Sequence, residues 1–202
     1  MLFRSQLGLC PRKHFYRRLG LQVTNVKDDR IKFIAEMGTA IHELSGSALE
    51  SVGIVLEREM SVVDEKNRVR GRADLVVRLN ESIEVVDVKT ERPEAFFRRL
   101  NSDAPKVKDH QARQLGFYYH MLKTTKYPDM ARGRILYIDR GGGCLDEFGV
   151  EFTPEFIERI FQEIATLNDF WEKKLDPPVL DKGQRWQCRF CEFRGACKKR
   201  AS

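Results

Sequence analysis

A mixed β-sheet flanked by helices, an α/β architecture, is what this chain of 202 residues predicts. Two observations carry that expectation. Short runs rich in Val, Ile and Leu, parted by polar turns, alternate with longer stretches whose apolar residues recur at helical spacing. Their order reads helix, three strands, helix, two strands, helix, and no repeat, low-complexity tract or Pro/Gly/Ser linker interrupts it. The length suits one domain with a small appendage.

Each element has its own signal. After a basic N-terminal segment, Glu36 to Val52 carries Met37, Ala40, Ile41, Leu44, Ala48 and Val52 at three- and four-residue intervals, which predicts an amphipathic helix. Val55 to Val63 opens the sheet. Val69 to Leu79 and Ile83 to Thr90, separated by Asn80-Glu81-Ser82, predict two antiparallel strands on a tight turn. Lys106 to Lys123 is a second helix, and Arg134 to Asp139 with Cys144 to Phe152 a further hairpin around Gly141-Gly142-Gly143. Thr153 caps a third helix with Pro154 in its first position, and Phe156, Ile157, Ile160, Phe161, Ile164, Leu167 and Trp171 form its apolar stripe. Pro177-Pro178 ends it. Leu180 to Ser202 is short, basic and cysteine-bearing, with too little apolar material for its own core. The expected division is 1–34 as an N-terminal segment, 35–176 as the core and 177–202 as a C-terminal segment.

Lys and Arg total 36 against 30 Asp and Glu, a net charge of +6 that favours a polyanionic partner. No run approaches the roughly 18 apolar residues of a membrane span. The stretch around Arg4, Arg12 and Lys13 lacks a signal-peptide core, so the reading is an intracellular, cytoplasmic protein. In a reducing compartment five cysteines are not expected to form disulfides, and clustered ones point to metal.

Gly71-Arg72-Ala73-Asp74 precedes Asp87-Val88-Lys89 on the other arm of the first hairpin. If Leu79 pairs with Ser82 across a two-residue loop, Asp74 stands opposite Asp87, with Cβ atoms roughly 4.5–5.5 Å apart. Two like charges at that separation call for a raised pKa or a divalent cation between them, and the cation is favoured here. Lys89, two residues along, shares a face with Asp87 and can reach a metal-bound water or a phosphate oxygen. A one-residue slip would separate these groups, so the inference depends on the turn. His42 lies one helical turn after Gly38, and an imidazole beside two carboxylates suits manganese or a similar ion. Gln114 and Tyr118, four residues apart, share a helix face.

In order, Gly38-x-x-x-His42, Gly71-x-x-Asp74, Asp87-x-Lys89 and Gln114-x-x-x-Tyr118 resemble the motifs of the RecB-type nucleases of the restriction-endonuclease-like superfamily. That resemblance implies a restriction-endonuclease-like fold in which His42, Asp74 and Asp87 bind Mn²⁺ or Mg²⁺, Lys89 assists the attacking water, and Gln114 and Tyr118 support substrate or metal site. Asp87 stands where many relatives carry Glu, a ligand shorter by one methylene.

Cys188-x-x-Cys191-x5-Cys197 gathers three thiols near one end, and Cys10 lies near the other. Four thiolates suit an iron-sulfur cluster or tetrahedral zinc on ligand type alone. The split pattern resembles that of helicase-associated and CRISPR-associated RecB-type nucleases, which implies an iron-sulfur cluster, [4Fe-4S] before [2Fe-2S], stapling the two termini into a small subdomain. Cys144 has no partner in this scheme and reads as a buried or incidental thiol. Lys182, Arg185, Arg189, Arg194, Lys198, Lys199 and Arg200 run among Trp186, Phe190 and Phe193, and Phe96-Phe97-Arg98-Arg99 repeats the combination. Such mixtures contact phosphates and stack on bases, or else cover a cluster and face solvent.

The chain carries no phosphate-binding G-x-x-x-x-G-K-[ST] loop. A compact nuclease with split cysteines most resembles the fourth family of CRISPR-associated proteins. This implies a DNA exonuclease acting mainly on single strands, trimming protospacer precursors in spacer acquisition beside integrase proteins, with a homo-oligomer possible. A repair nuclease of the RecB/AddB type, a viral homologue and a non-enzymatic metal-stapled DNA-binding module are the alternatives.

Overall fold

Unbroken buried runs in two long central strands, residues 73–77 and 84–88, organise the molecule. The computed structural model describes residues 2–3, 7–25 and 29–201. Arg4 of the basic N-terminal segment lies outside them, as do the side chains of Lys199 and Arg200. In chain order the elements are β1 (Leu2–Phe3), α1 (Pro11–Arg18), α2 (Asp29–Ser51), β2 (Val55–Asp64), β3 (Val69–Leu79), β4 (Ser82–Glu91), α3 (Pro93–Leu100), α4 (Asp109–Thr125), β5 (Met130–Asp139), β6 (Leu145–Val150), α5 (Pro154–Glu172), a 3₁₀ segment (Lys182–Phe190) and α6 (Arg194–Ala201).

The strands form one mixed sheet in the order β2, β3, β4, β5, β6, and the two-residue β1 lies alongside β3. β2–β3, β3–β4 and β5–β6 are antiparallel, whereas β4 and β5 run parallel and are joined by the α3–α4 crossover. The mixed sheet flanked by helices therefore follows the sequence expectation. The β3–β4 register is the anticipated one, running from Leu79 opposite Ser82 to Leu75 opposite Val86. Asn80 and Glu81 make the turn with φ of 45° and 67°, the left-handed pair a two-residue hairpin requires.

One sheet face carries the main core, where Ala73, Val76, Val85, Ile135 and Tyr137 meet Leu115, Phe117 and Tyr118 of α4 and Ile160 and Ile164 of α5. On the opposite face Leu75, Val77, Val86 and Val88 pack beneath Ile41 and Leu49 of α2. Ala73 and Leu75 are two residues apart yet serve opposite faces, and so do their partners Met60 and Arg58. At Glu59 and Asp74 both strands slip by one residue in the face they present, while their pairing keeps its register. Glu59 takes a positive φ of 48°, the backbone signature of that slip.

α2 differs from its expected stripe. It begins at Asp29, and its inward face runs through Ile41, Gly46 and Leu49, while Leu44 and Val52 are exposed. At Gly46 an added Cβ would meet the Arg58 guanidinium at 2.8–2.9 Å, so glycine lets that side chain cross the helix to Glu43 and Glu50. Largely basic α1 gives no clear periodicity in sequence, and α3, though amphipathic, is only eight residues long. The two chain ends share a small core of Phe15, Tyr16, Cys191 and Phe193, joined by Leu21, Trp171 and Cys197. Tyr16 donates to Asp176 at 2.8 Å, and the Thr24 and Asn25 N–H groups donate to the Glu192 carbonyl. Cys144 is exposed, which rules out the buried reading of that thiol. Among the described residues no helix is long and apolar enough to cross a membrane.

Candidate active site

The β3–β4 ladder ends one pair short of Asp74 and Asp87, and the strands part there while β4 stays paired with β5 through Glu91. Asp74 is 6% exposed and reaches into the seam, where its Oδ2 accepts the Val88 N–H at 2.8 Å. Asp87 is fully buried at 0% and faces α4, where Gln114 Nε2 donates to its Oδ1 at 3.1 Å. Lys89 Nζ lies 2.5 Å from Asp87 Oδ2, the same-face relation that strand alternation requires.

His42 arrives from the other side of the sheet. α2 crosses the end of β4 closely enough that a Cβ on Gly38 would touch Thr90 Oγ1 at 3.5 Å, and one turn later His42 Nδ1 stands 3.5 Å from Asp74 Oδ2. Gln114 is buried within α4, and not the surface amide such a residue usually is. The Tyr118 hydroxyl accepts the Arg72 N–H at 3.1 Å and donates to the Arg72 carbonyl at 2.6 Å. Tyr118 thus pins the strand two residues before Asp74.

The six motif residues therefore sit around one parting of strands. Two buried carboxylates and an imidazole form a donor set suited to a hard or borderline divalent ion. In their present arrangement Lys89 takes one carboxylate and the Val88 N–H the other. Among the described residues no three His, Cys, Asp or Glu side chains converge tightly enough to hold a metal.

Sequence patterns left out His110, one turn before Gln114. Burial pushes its imidazole down, Lys108 and Lys89 add to that, and Asp109 and Asp87 oppose it, so it feels the charges of the site. Its four-residue spacing to Gln114 was the available signal. The N-terminal strap passes over it: Gly8, with a φ of +67°, lies so close that a Cβ would meet His110 Cα at 2.7 Å. Glu91, next on the Asp87 face, is pushed up by burial, but Lys108 and Arg99 outweigh this and hold its carboxyl below the usual range.

Cys10, Cys188, Cys191 and Cys197 all line one cavity of about 610 Å³ between the chain ends, with Arg12, Lys13, Arg185, Arg194 and Lys198 around them. Burial pushes the Cys10 thiol up, and charges on Cys191 and Cys188 add to it. Arg12, itself 8% exposed, bonds the Pro177 carbonyl and approaches Cys197 Sγ at 3.9 Å. Four sulfurs around one space fit a tetrathiolate centre by donor type, although they do not converge to ligand distance. The mixed basic and aromatic segments divide. Trp186, Phe190 and Phe97 are exposed, whereas Phe193 and Phe96 are core residues and Arg99 is buried against Glu91 and Asp146.

The profile of the PD-(D/E)XK nuclease superfamily matches residues 46–198, about three quarters of the chain. The chain belongs to that superfamily. Its fold is similar to the crystal structure of SSO0001, with a TM-score of 0.60 and 20% identity over 97% of this chain and 84% of the other. An alkaline exonuclease from Laribacter hongkongensis, LHK-Exo, gives 0.56 and 12% over 81% and 78%. LHK-Exo in complex with dAMP gives 0.53 and 11% over 86% and 88%. At these identities the likeness is one of fold. No curated protein sequence matches the chain.

Proposed function

We propose that this PD-(D/E)XK nuclease is a divalent-metal-dependent DNA exonuclease acting mainly on single strands. One observation carries the reading: where β3 and β4 part, buried Asp74 accepts the Val88 N–H, and buried Asp87, the residue before Val88, pairs with the half-buried Lys89. His42, Asp74 and Asp87 are the ligands of the catalytic ion in this proposal. A Mn²⁺ or Mg²⁺ ion there supplies Lewis-acid polarisation of a phosphate and acidifies a bound water. Lys89 brings an ammonium against Asp87, and that charge offsets the charge that develops as the phosphodiester is attacked. Gln114 fixes the Asp87 carboxylate, and Tyr118 fixes the strand that presents Asp74.

The same proposal divides the chain into residues 1–34, a nuclease core at 35–176 and a C-terminal segment at 177–202. Cys10, Cys188, Cys191 and Cys197 hold an iron-sulfur cluster, [4Fe-4S] first, that staples the two ends. Its place is the CRISPR-associated RecB-like group, in the cytoplasm, trimming protospacer precursors beside integrase proteins and as a possible homo-oligomer. The lack of a G-x-x-x-x-G-K-[ST] phosphate loop in this chain favours this over a helicase-linked repair nuclease.

Degradation of end-labelled single- and double-stranded DNA with Mn²⁺, Mg²⁺ or EDTA tests the activity, with Asp74→Ala as control. Metal-dependent loss of the single strand in the wild type alone is expected. Equal degradation by Asp74→Ala, or none by either protein, overturns the reading.

A further inference from the structure

Arg72 is fixed more firmly than an exposed arginine needs to be. Its backbone N–H and carbonyl are both held by the Tyr118 hydroxyl, and its Nε pairs with the Glu59 carboxylate. Its side chain is nonetheless 66% exposed. Nε stands against a carboxylate as an ion pair, and the side chain is otherwise largely open to solvent. Glu59 is the residue whose left-handed backbone marks the change of face beside Asp74, a conformation that persists where surrounding structure imposes it.

The slip also decides where Arg72 points. Ala73 faces the α4 core, so Arg72 projects to the α2 side of the sheet, the side from which His42 reaches Asp74. Arg72 lies two residue steps before Asp74, roughly 6.4–6.8 Å of chain. An oriented guanidinium stands beside the site with two donors free for a planar, bidentate partner.

We propose that Arg72 is a substrate-positioning residue that grips a backbone phosphate of the nucleic acid next to the one being cleaved, with Glu59 setting the angle of its fork. The inference rests on the nuclease reading and adds how the strand is held. A surface ion pair between neighbouring strands would use the same two residues, but it would leave DNA affinity and its salt dependence untouched.

Binding of a labelled single-stranded oligonucleotide, measured by anisotropy in EDTA over a range of salt concentrations, separates these. Arg72→Gln should weaken binding about tenfold and reduce the slope of log K against log salt by about 0.7, the loss of one phosphate contact on a single strand. Arg72→Lys should keep the slope while recovering only part of the affinity, because an ammonium lacks the fork. Arg78→Gln, at the far end of β3, should change neither. With Mn²⁺, Arg72→Gln should raise KM with little change in kcat. Wild-type affinity and slope in Arg72→Gln, at an unchanged melting temperature, would refute the assignment while leaving the nuclease reading intact. A variant whose melting temperature falls hands the decision to Arg72→Lys, whose full recovery of affinity would also refute the fork. Wild-type protein that binds single-stranded DNA but does not cleave it overturns the nuclease reading alone, and one that does neither overturns both.

Discussion

Lowering the pH from 7 to 5 should loosen the joint between the chain ends and the nuclease core through one residue, His14. It lies on α1 at 6% exposure, between Leu167 and Trp171 of α5 and Pro177. Burial pushes its imidazole down to about 3, and the neighbouring Lys13 and Arg17 charges add to that. In the unfolded chain the group titrates near ~6.5. Between those values the unfolded state binds the proton and the folded state does not, so stability is complete above about 6.5 and falls as the pH drops toward 3. At pH 5 the gap spans about 1.5 units, worth about 2 kcal/mol. Urea unfolding of the wild type and of His14→Leu at pH 7 and pH 5 isolates the effect, since other carboxylates and histidines contribute equally to both. The wild type should lose about 2 kcal/mol more than the variant. An identical acid loss in the two proteins would show that His14 is solvated or paired in the folded state and would refute the argument.

Lys89→Ala should leave Mn²⁺ binding nearly intact by calorimetry while lowering the cleavage rate roughly 10²–10³-fold, the scale of losing one charge-stabilising group. Gln114→Leu removes the donor to the buried Asp87 carboxylate, and a loss of about 1.5–3 kcal/mol in stability is expected from chemical denaturation, with cleavage slowed as well. Freshly purified protein should absorb in the visible. Chelating away the proposed cluster, or the Cys197→Ser change, should speed hydrogen exchange in α1 while the β3–β4 amides stay protected, because α1 shares its small core with the cysteine segment. Colourless protein with unchanged exchange in α1 would count against a metal staple.

Much of the fold was legible because the central strands obey simple rules. The polar Asn80-Glu81 turn fixes the hairpin, and from it follows the register as far as Leu75 opposite Val86, the pair next to Asp74 and Asp87. What strand periodicity could not reveal was that the pairing stops just before those residues, so Asp74 enters the seam and does not sit on a face with Asp87. The slip at Glu59 is similarly invisible, since no glycine marks its positive φ. In α2, Leu44 and Val52 gave a plausible apolar stripe, but the packed face is chosen by Gly46 and the Arg58 side chain lying across it. α1 escaped notice because its basic residues mask Phe15 and Tyr16, whose partners lie at the opposite end of the chain. Gln114 is legible as chemistry only when Asp87 is seen beneath it.

A β-sheet ordinarily insulates the layer above it from the layer below. Here the opening between β3 and β4 removes that insulation at one point: α2 delivers an imidazole from one side, and α4 delivers an amide from the other. Substitutions in either helical layer can therefore retune the same pair of carboxylates without touching the strands. The two helical layers are free to vary independently around a common centre.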